Sequence, residues 1–259
     1  MLKKSLLTLA IVMLTFSASL SQSRTVKADR ASNAVTSSPR NPFVPGERLK
    51  YDVSWADFIV AGELTIQTDE RRSFDGVDGY HVTAQAQSVG LVSGVVLKVN
   101  DVYESFVNAA TLQPFRAEKS MRHGKKRGQS SVTLDQQRHT AQLAGGLTLD
   151  IPADTYDLAG LIFAIRGMDL TIGKASAFDL IEDDKLYQIS VQPEAREKIT
   201  TQAGTFDVMR LGTKMPGGKR NDKLYKLQMY ITVDARRLPV LITAQPSWGE
   251  VKVSLTSPK

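Results

Sequence analysis

The chain has 259 residues, a formal charge of +6 and no cysteine. The absence of cysteine excludes disulfides, thiol catalysis and thiolate metal sites. A domain of this composition in an oxidising compartment must therefore be stabilised by its core alone.

The N-terminus has the parts of a secretory signal. Lys3 and Lys4 precede an apolar run from Leu6 to Leu14, and small residues follow it. This pattern predicts a signal peptide at residues 1–21, and therefore an exported protein with the periplasm as its expected location. The uncharged run is about 19 residues long, nearly enough to span a bilayer, so a retained anchor is the alternative.

Residues 22–44 are rich in Ser, Thr, Ala, Asn and Arg and show no hydrophobic pattern. Such a segment cannot bury enough apolar surface to offset its ordering entropy, so it is predicted to be a disordered linker. Residues 45–257 contain no linker or repeat and suit a single β-rich domain.

Alternation of apolar and polar residues predicts strands through most of this domain. In the first strand, Leu49, Tyr51, Val53 and Trp55 share one face. Further strands are predicted at 62–67, 80–88, 99–106, 115–121, 129–135, 138–143, 187–192, 198–201, 206–213, 224–234, 240–244 and 250–255. Short polar or glycine turns separate them, which predicts a mainly β fold with an antiparallel rolled sheet or a barrel-like meander.

One segment has a helical period instead. Leu158, Leu161, Ile162 and Ile165 stand at i, i+3, i+4 and i+7, after a capping Asp or Thr and before Arg-Gly. We expect one short amphipathic helix at about residues 155–166, with its apolar face on the sheet. It could plug an open end of the roll.

No motif names a reaction. The histidines His81, His123 and His139 are far apart, although the last two flank a predicted hairpin and could approach each other. The acidic run at 182–184 offers paired carboxylates, but Glu-Asp-Asp-Lys between strands is typical of a solvated turn. The sequence therefore predicts no catalytic residue, no metal and no cofactor.

Positive charge is concentrated in two segments. Residues 116–128 carry six cations against Glu118, a net of +5. We expect this segment's turn to contact anionic lipid or another acidic envelope surface through Arg122, Lys125, Lys126 and Arg127. A solvated hairpin tip that guards against edge pairing is the alternative. Residues 214–226 read as a second basic loop, and a nucleic-acid partner is not expected because stacking aromatics are missing.

Aromatic residues lie on the predicted strands or at their ends. They either line an apolar ligand cavity, as in small barrels, or pack the core. The ligand-binding candidates are Tyr51, Trp55, Tyr103, Phe106 and Tyr230, with Tyr225 and Trp248 in the same class.

The order of segments resembles a family of exported bacterial proteins known as domain of unknown function 3108. The resemblance rests on Gly46–Trp55 with Ala61-Gly62-Glu63, Asp101 with Ser105, Leu112-Gln113-Pro114, Asp157–Arg166, Thr201–Phe206 and Asp234–Val240. This chain differs from the family pattern in the strand before Asp234, which is typically rich in aromatic residues but here lacks tryptophan. The resemblance implies an extracytoplasmic β-rich domain and assigns no functional residue.

Three functions follow as hypotheses. The first is a non-catalytic envelope protein that binds an apolar or amphipathic ligand, such as a lipid, or an envelope partner. The second is a hydrolase of envelope polymers that uses paired carboxylates. The third is an assembly partner of outer-membrane machinery that uses exposed sheet edges. The oligomeric state is left open.

Overall fold

The computed structural model describes residues 40–55, 59–90, 93–94, 98–214, 227–245 and 249–259. The predicted signal, most of the predicted linker, the basic loop after Lys214, and Tyr225 and Trp248 lie outside these ranges. The strands are β1 Arg48–Trp55, β2 Ile59–Thr68, β3 Arg72–Phe74, β4 Val77–Ser88, β5 Asn100–Asn108, β6 Pro114–His123, β7 Lys126–Asp135, β8 Thr140–Leu143, β9 Thr148–Asp150, β10 Thr155–Tyr156, β11 Ser176–Glu182, β12 Lys185–Thr201, β13 Gly204–Lys214, β14 Leu227–Thr232, β15 Pro239–Ala244 and β16 Val251–Pro258. One helix, α1, spans Leu158–Gly167.

The described strands form one sheet in the order β10-β11-β12-β13-β14-β15-β16-β1-β2-β4-β5-β6-β7-β8-β9, with β3 added to β4. Every neighbouring pair is antiparallel except β10 with β11. The two edge strands of the sheet, β9 and β10, are close in sequence. Among the described strands, no hydrogen-bonded pairing joins them to each other. The sheet is therefore rolled and barrel-like but not closed.

Because neighbouring strands are antiparallel, each turn between them lies at one of the two ends of the sheet. At one end of the sheet, strands β1, β6, β11 and β13 finish, and the β1–β2 and β6–β7 turns lie there. We call this end the tip end. We name as the base end the opposite one, where β5 and β14 finish and where the chain enters β1. This division decides which charged turns become neighbours.

Helix α1 fills the interior of the roll. Asp157 caps it, with Oδ1 accepting from the backbone N–H groups of Ala159 at 2.9 Å and Gly160 at 3.1 Å. Phe163 is fully buried in the main core and stacks on Phe43 with ring centroids 4.6 Å apart. Phe43 belongs to the predicted linker but packs here. In the described ranges, no helix is long and apolar enough to cross a bilayer.

The C-terminal end of α1 is held by a buried ion pair. The side chain of Arg166 is completely inaccessible, and its Nη1 and Nη2 donate to the two carboxylate oxygens of Glu47 at 2.6 and 2.9 Å. Nη2 also donates to the carbonyl oxygen of Arg236 at 3.0 Å. Because burying a guanidinium is costly unless it is paired and hydrogen-bonded, this contact fixes three distant segments together.

Side chains rather than ladder bonds join the two margins of the sheet. Ile181 of β11 packs with Leu134 of β7, Ala141 of β8 and Ile151 in a small separate core. Nearby, Lys119 of β6 forms an ion pair with Glu182 of β11.

The predicted fold class is confirmed, and most of the predicted strands are observed with longer bounds. The helix begins at Leu158, since Asp157 is its cap, so the predicted start at 155 was too early. The predicted strands 187–192 and 198–201 are one strand, β12, which continues through a bulge between Pro193 and Ala195. Strand β11 was missed because its side chains do not alternate clearly.

We predict that Glu47→Gln lowers the free energy of unfolding by about 3–5 kcal/mol, because it leaves the buried guanidinium of Arg166 without a charged partner. Urea unfolding measures this. The matched control is Lys198→Met, which removes the exposed pair with Asp207 and should change stability little. Equal losses in the two variants would contradict the assigned role of Arg166.

Candidate functional site

The β6–β7 hairpin projects at the tip end. Strand β7 pairs with β6 from Lys126, whereas its other neighbour, β8, reaches only as far as Val132. Residues 126–130 of β7 therefore have one edge without a paired strand, since the carbonyl of Ser131 still accepts from the backbone N–H of Ala144 at 2.9 Å. The four cations predicted to contact an anionic surface are exposed at this tip: Arg122, Lys125, Lys126 and Arg127.

A buried carboxylate orients this tip. Asp101 is completely inaccessible, and its Oδ1 accepts from the backbone N–H of Arg122 at 3.0 Å. Its Oδ2 lies 2.8 Å from Nε2 of His123. The backbone N–H of Gly124 donates to the carbonyl of Lys98 at 2.7 Å. The hairpin is thus anchored at its neck while its cationic side chains remain in solvent.

The basic segment divides into two groups. Arg116 pairs with Asp75 and Glu118, and Lys119 pairs with Glu182 and Asp183, so these two charges are compensated. Among the described residues, the side chains of the four tip cations form no ion pair. Sequence alone counted six equivalent charges, but only these four are available to a partner.

Exposed apolar side chains lie at the same end. Ile59 and Val60, in the first residues of β2, are 40% and 45% exposed, and Leu186 near the start of β12 is 41% exposed. Antiparallel topology places the starts of β2 and β12 at the tip end, together with the basic hairpin. The tip end therefore combines uncompensated positive charge with exposed apolar groups.

The carboxylates considered for acid–base chemistry meet elsewhere. Glu182 and Asp157 line one crevice together with Lys119 and Tyr103, but its cavity is only about 40 Å³. Asp157 accepts from Ser105 Oγ at 2.5 Å. Gly160 permits this approach, since a Cβ there would lie 3.0 Å from Asp157 Oδ2 and 3.3 Å from Ser105 Oγ.

Burial dominates the electrostatics of this crevice. It raises the pKa of Asp157, although hydrogen bonds from Ser105 and the helix N-terminus act in the opposite direction. Burial likewise raises the pKa of Glu182, opposed by Lys119. Burial alone would lower the pKa of Lys119, but the hydrogen bond and charge of Glu182 outweigh it and raise the value.

These groups already satisfy one another. The crevice has room for roughly one water molecule and none for a polymer substrate. Asp157 caps α1, and Glu182 holds β11 to β6 through Lys119. The expectation that 182–184 is a solvated turn holds for Asp183 and Asp184 but is wrong for Glu182, which is mostly buried because Lys119 neutralises it.

The histidines stay apart. His123 and His139 lie at opposite ends of β7, so the suggested approach does not occur. His81 lies on the outer face, with Nδ1 2.8 Å from Asp69 Oδ2 and Nε2 3.0 Å from Glu104 Oε1. In the part of the chain that is described, no three His, Asp or Glu side chains form a metal site.

The predicted ligand-binding aromatics lie in different surroundings. Tyr51 is buried in the main core beside α1, and Tyr103 is buried at the crevice. Phe106 lies on the outer face, where it stacks on His81 at 4.6 Å with Arg116 3.9 Å above its ring. Trp55 and Tyr230 are half-buried. Their role in ligand binding stays a prediction.

The family model described as a protein of unknown function, DUF3108, matches residues 50–256. The chain belongs to the DUF3108 family. This confirms the resemblance drawn from the sequence motifs. No curated protein matches the chain.

Solved structures also resemble this DUF3108 protein. A β-barrel-like protein of the DUF1849 family from Brucella abortus has a TM-score of 0.58 at 11% identity, covering 82% of this chain and 96% of that one. A DUF1089 family protein from Pseudomonas aeruginosa has a TM-score of 0.45 at 11% identity, with 72% and 93% covered. A candidate lipoprotein from Parabacteroides distasonis has 0.35 at 13%, with 83% and 96% covered. At such identities the first of these shows the barrel-like fold alone.

We predict that Asp157→Asn flattens the pH dependence of stability. Since the folded state raises the pKa of Asp157, its contribution to stability is fully present below the ordinary aspartate pKa of about 3.9 and is lost as the pH rises through the raised value. Thermal unfolding between pH 4 and 8 should show the wild type losing more stability than the variant as the pH rises. Asparagine still caps the helix, so parallel curves would contradict the assignment.

Proposed function

We propose that this DUF3108 protein is a non-catalytic, exported envelope protein that docks on an anionic membrane surface through its tip end. One observation carries the proposal: antiparallel topology gathers the uncompensated cations of the β6–β7 hairpin and the exposed side chains of Ile59, Val60 and Leu186 at one end. The signal-like N-terminus supports the envelope location.

The magnitudes explain why both features are needed. Each Lys or Arg near an anionic leaflet contributes about 1 kcal/mol, so four contribute about 4 kcal/mol. That alone corresponds to a dissociation constant near 1 mM. Reversible docking therefore requires a second contribution, and burial of exposed apolar side chains at about 25 cal/mol per Å² supplies one.

The two other hypotheses receive less support. For a hydrolase, the converging carboxylates Asp157 and Glu182 occupy a crevice too small for a polymer. For an assembly partner that adds a strand, the free edge of β7 would have to accept one, but that edge begins with Lys126 and Arg127. Cationic side chains on a sheet edge discourage such pairing.

Vesicle sedimentation tests the proposal. We expect Lys125→Glu with Lys126→Glu to weaken binding to vesicles of mixed phosphatidylglycerol and phosphatidylcholine at least about thirtyfold. Loss of two lysines removes about 2 kcal/mol before any repulsion by the new carboxylates. Binding of the wild type should also fall with added salt.

The matched control is Arg138→Glu with Lys198→Glu, which makes the same change in net charge at exposed sites outside the tip hairpin. It should retain most of the binding. Equal loss in both variants would show that only net charge matters, and wild-type protein that does not sediment with anionic vesicles at low salt would overturn the proposal.

A further inference from the structure

An open pocket lies at the base end, beside the loop that follows α1. Its volume is about 550 Å³, within the range of small-molecule sites. The lining is amphipathic: Leu170, Ile172 and Met209 are apolar, Arg196 and Arg237 are cationic, and Asp169 and Thr171 complete it. Ile172 is 56% exposed, which is unusual for a large aliphatic side chain.

Arg237 is the unsatisfied group of this pocket. Its Nε and Nη1 atoms are buried and have no hydrogen-bond partner among the described residues. Its backbone has φ of +52°, a conformation uncommon for a residue with a side chain. Asp234 holds the turn, accepting from the backbone N–H groups of Arg236 at 3.1 Å and Arg237 at 3.3 Å. The turn that carries the guanidinium is thus held in place, while two of the three guanidinium nitrogens lack a partner.

The neighbouring acids are already engaged. Asp169 accepts from Thr171 Oγ1 at 2.8 Å and from Lys174 Nζ at 2.9 Å. Asp234 accepts from Thr232 Oγ1 at 2.6 Å. Burial, with repulsion from Arg40, lowers the pKa of Arg237, and the attraction of Asp169 and Asp234 only partly opposes this. Two buried guanidinium nitrogens without an acceptor are costly, and the positive charge of the group favours an acceptor with negative charge.

We propose that this pocket binds an amphipathic anion, with a carboxylate or phosphate head on Arg237 and an alkyl chain against Leu170, Ile172 and Met209. Arg196 adds positive field at the rim. The proposal goes beyond membrane docking, since the pocket lies at the end opposite the basic hairpin and takes a single soluble molecule.

Calorimetric titration of the purified chain tests this with four probes below their micelle concentrations: dodecanoate, dodecyl phosphate, dodecanol and inorganic phosphate. We expect at least one of the two amphipathic anions to bind at least tenfold more tightly than dodecanol and phosphate. Tighter binding of dodecanoate would indicate a fatty acid, and tighter binding of dodecyl phosphate a phospholipid-derived ligand.

We expect Arg237→Gln to weaken binding of the preferred anion at least tenfold, because charge-assisted hydrogen bonds to the head group are lost. Arg138→Gln is the matched control and should bind normally. Without ligand, Arg237→Gln should melt at the same temperature as the wild type or higher, since the lost donors had no partner. This readout separates lost binding from lost folding.

Three results would overturn the proposal: dodecanol binding as tightly as both anions, unchanged affinity in Arg237→Gln, or no binding of either anion by the wild type. The variant Lys125→Glu with Lys126→Glu should bind the anion normally. Wild-type protein that binds dodecanoate but does not sediment with anionic vesicles would reject the proposed function and leave this site intact.

Discussion

The ion pair between Arg166 and Glu47 constrains the rest of the structure. A guanidinium that is completely removed from water needs both carboxylate oxygens and the carbonyl of Arg236 to offset its desolvation. The pair therefore sets the depth of α1 in the roll, the entry of the chain into β1 and the position of the β14–β15 turn. Arg237 follows directly in that turn, so the same constraint fixes the cationic wall of the base pocket.

The N-terminal end of α1 is also held by a few polar groups. Asp157 caps the helix and receives Ser105 Oγ, and Gly160 leaves room for both. The helix is thus held at both of its ends. The gap between the margins of the sheet is bridged by Ile181 and by Lys119 with Glu182. The polar groups that most resemble an active site, Asp157 and Glu182, therefore hold elements of the fold together.

The charged side chains of this protein fall into two groups, those with an ion-pair or hydrogen-bond partner and those without an ion pair among the described residues. Asp101, Arg166 and Glu182 are buried with partners, and removing them would disturb the fold. Lys125 and Arg237 differ, because each carries charge without an ion pair among the described residues. They lie at opposite ends of the sheet, where we propose a surface contact at the tip end and a small ligand at the base end.

The sequence by itself determined the local features. Alternation indicated most of the strands, the i, i+3, i+4, i+7 spacing indicated α1, and the glycine-flanked cations marked the tip hairpin, because each depends on neighbours within a few residues. Only the tertiary structure decided which charges are compensated. Lys119 and Lys125 both lie in the same basic segment of the sequence. Lys119 forms an ion pair with Glu182, which is 63 positions away, whereas the side chain of Lys125 is exposed to solvent. The pocket at Arg237 was missed for the same reason: its walls come from four separate segments, and the absence of a hydrogen-bond partner is a property of packing that no local pattern records.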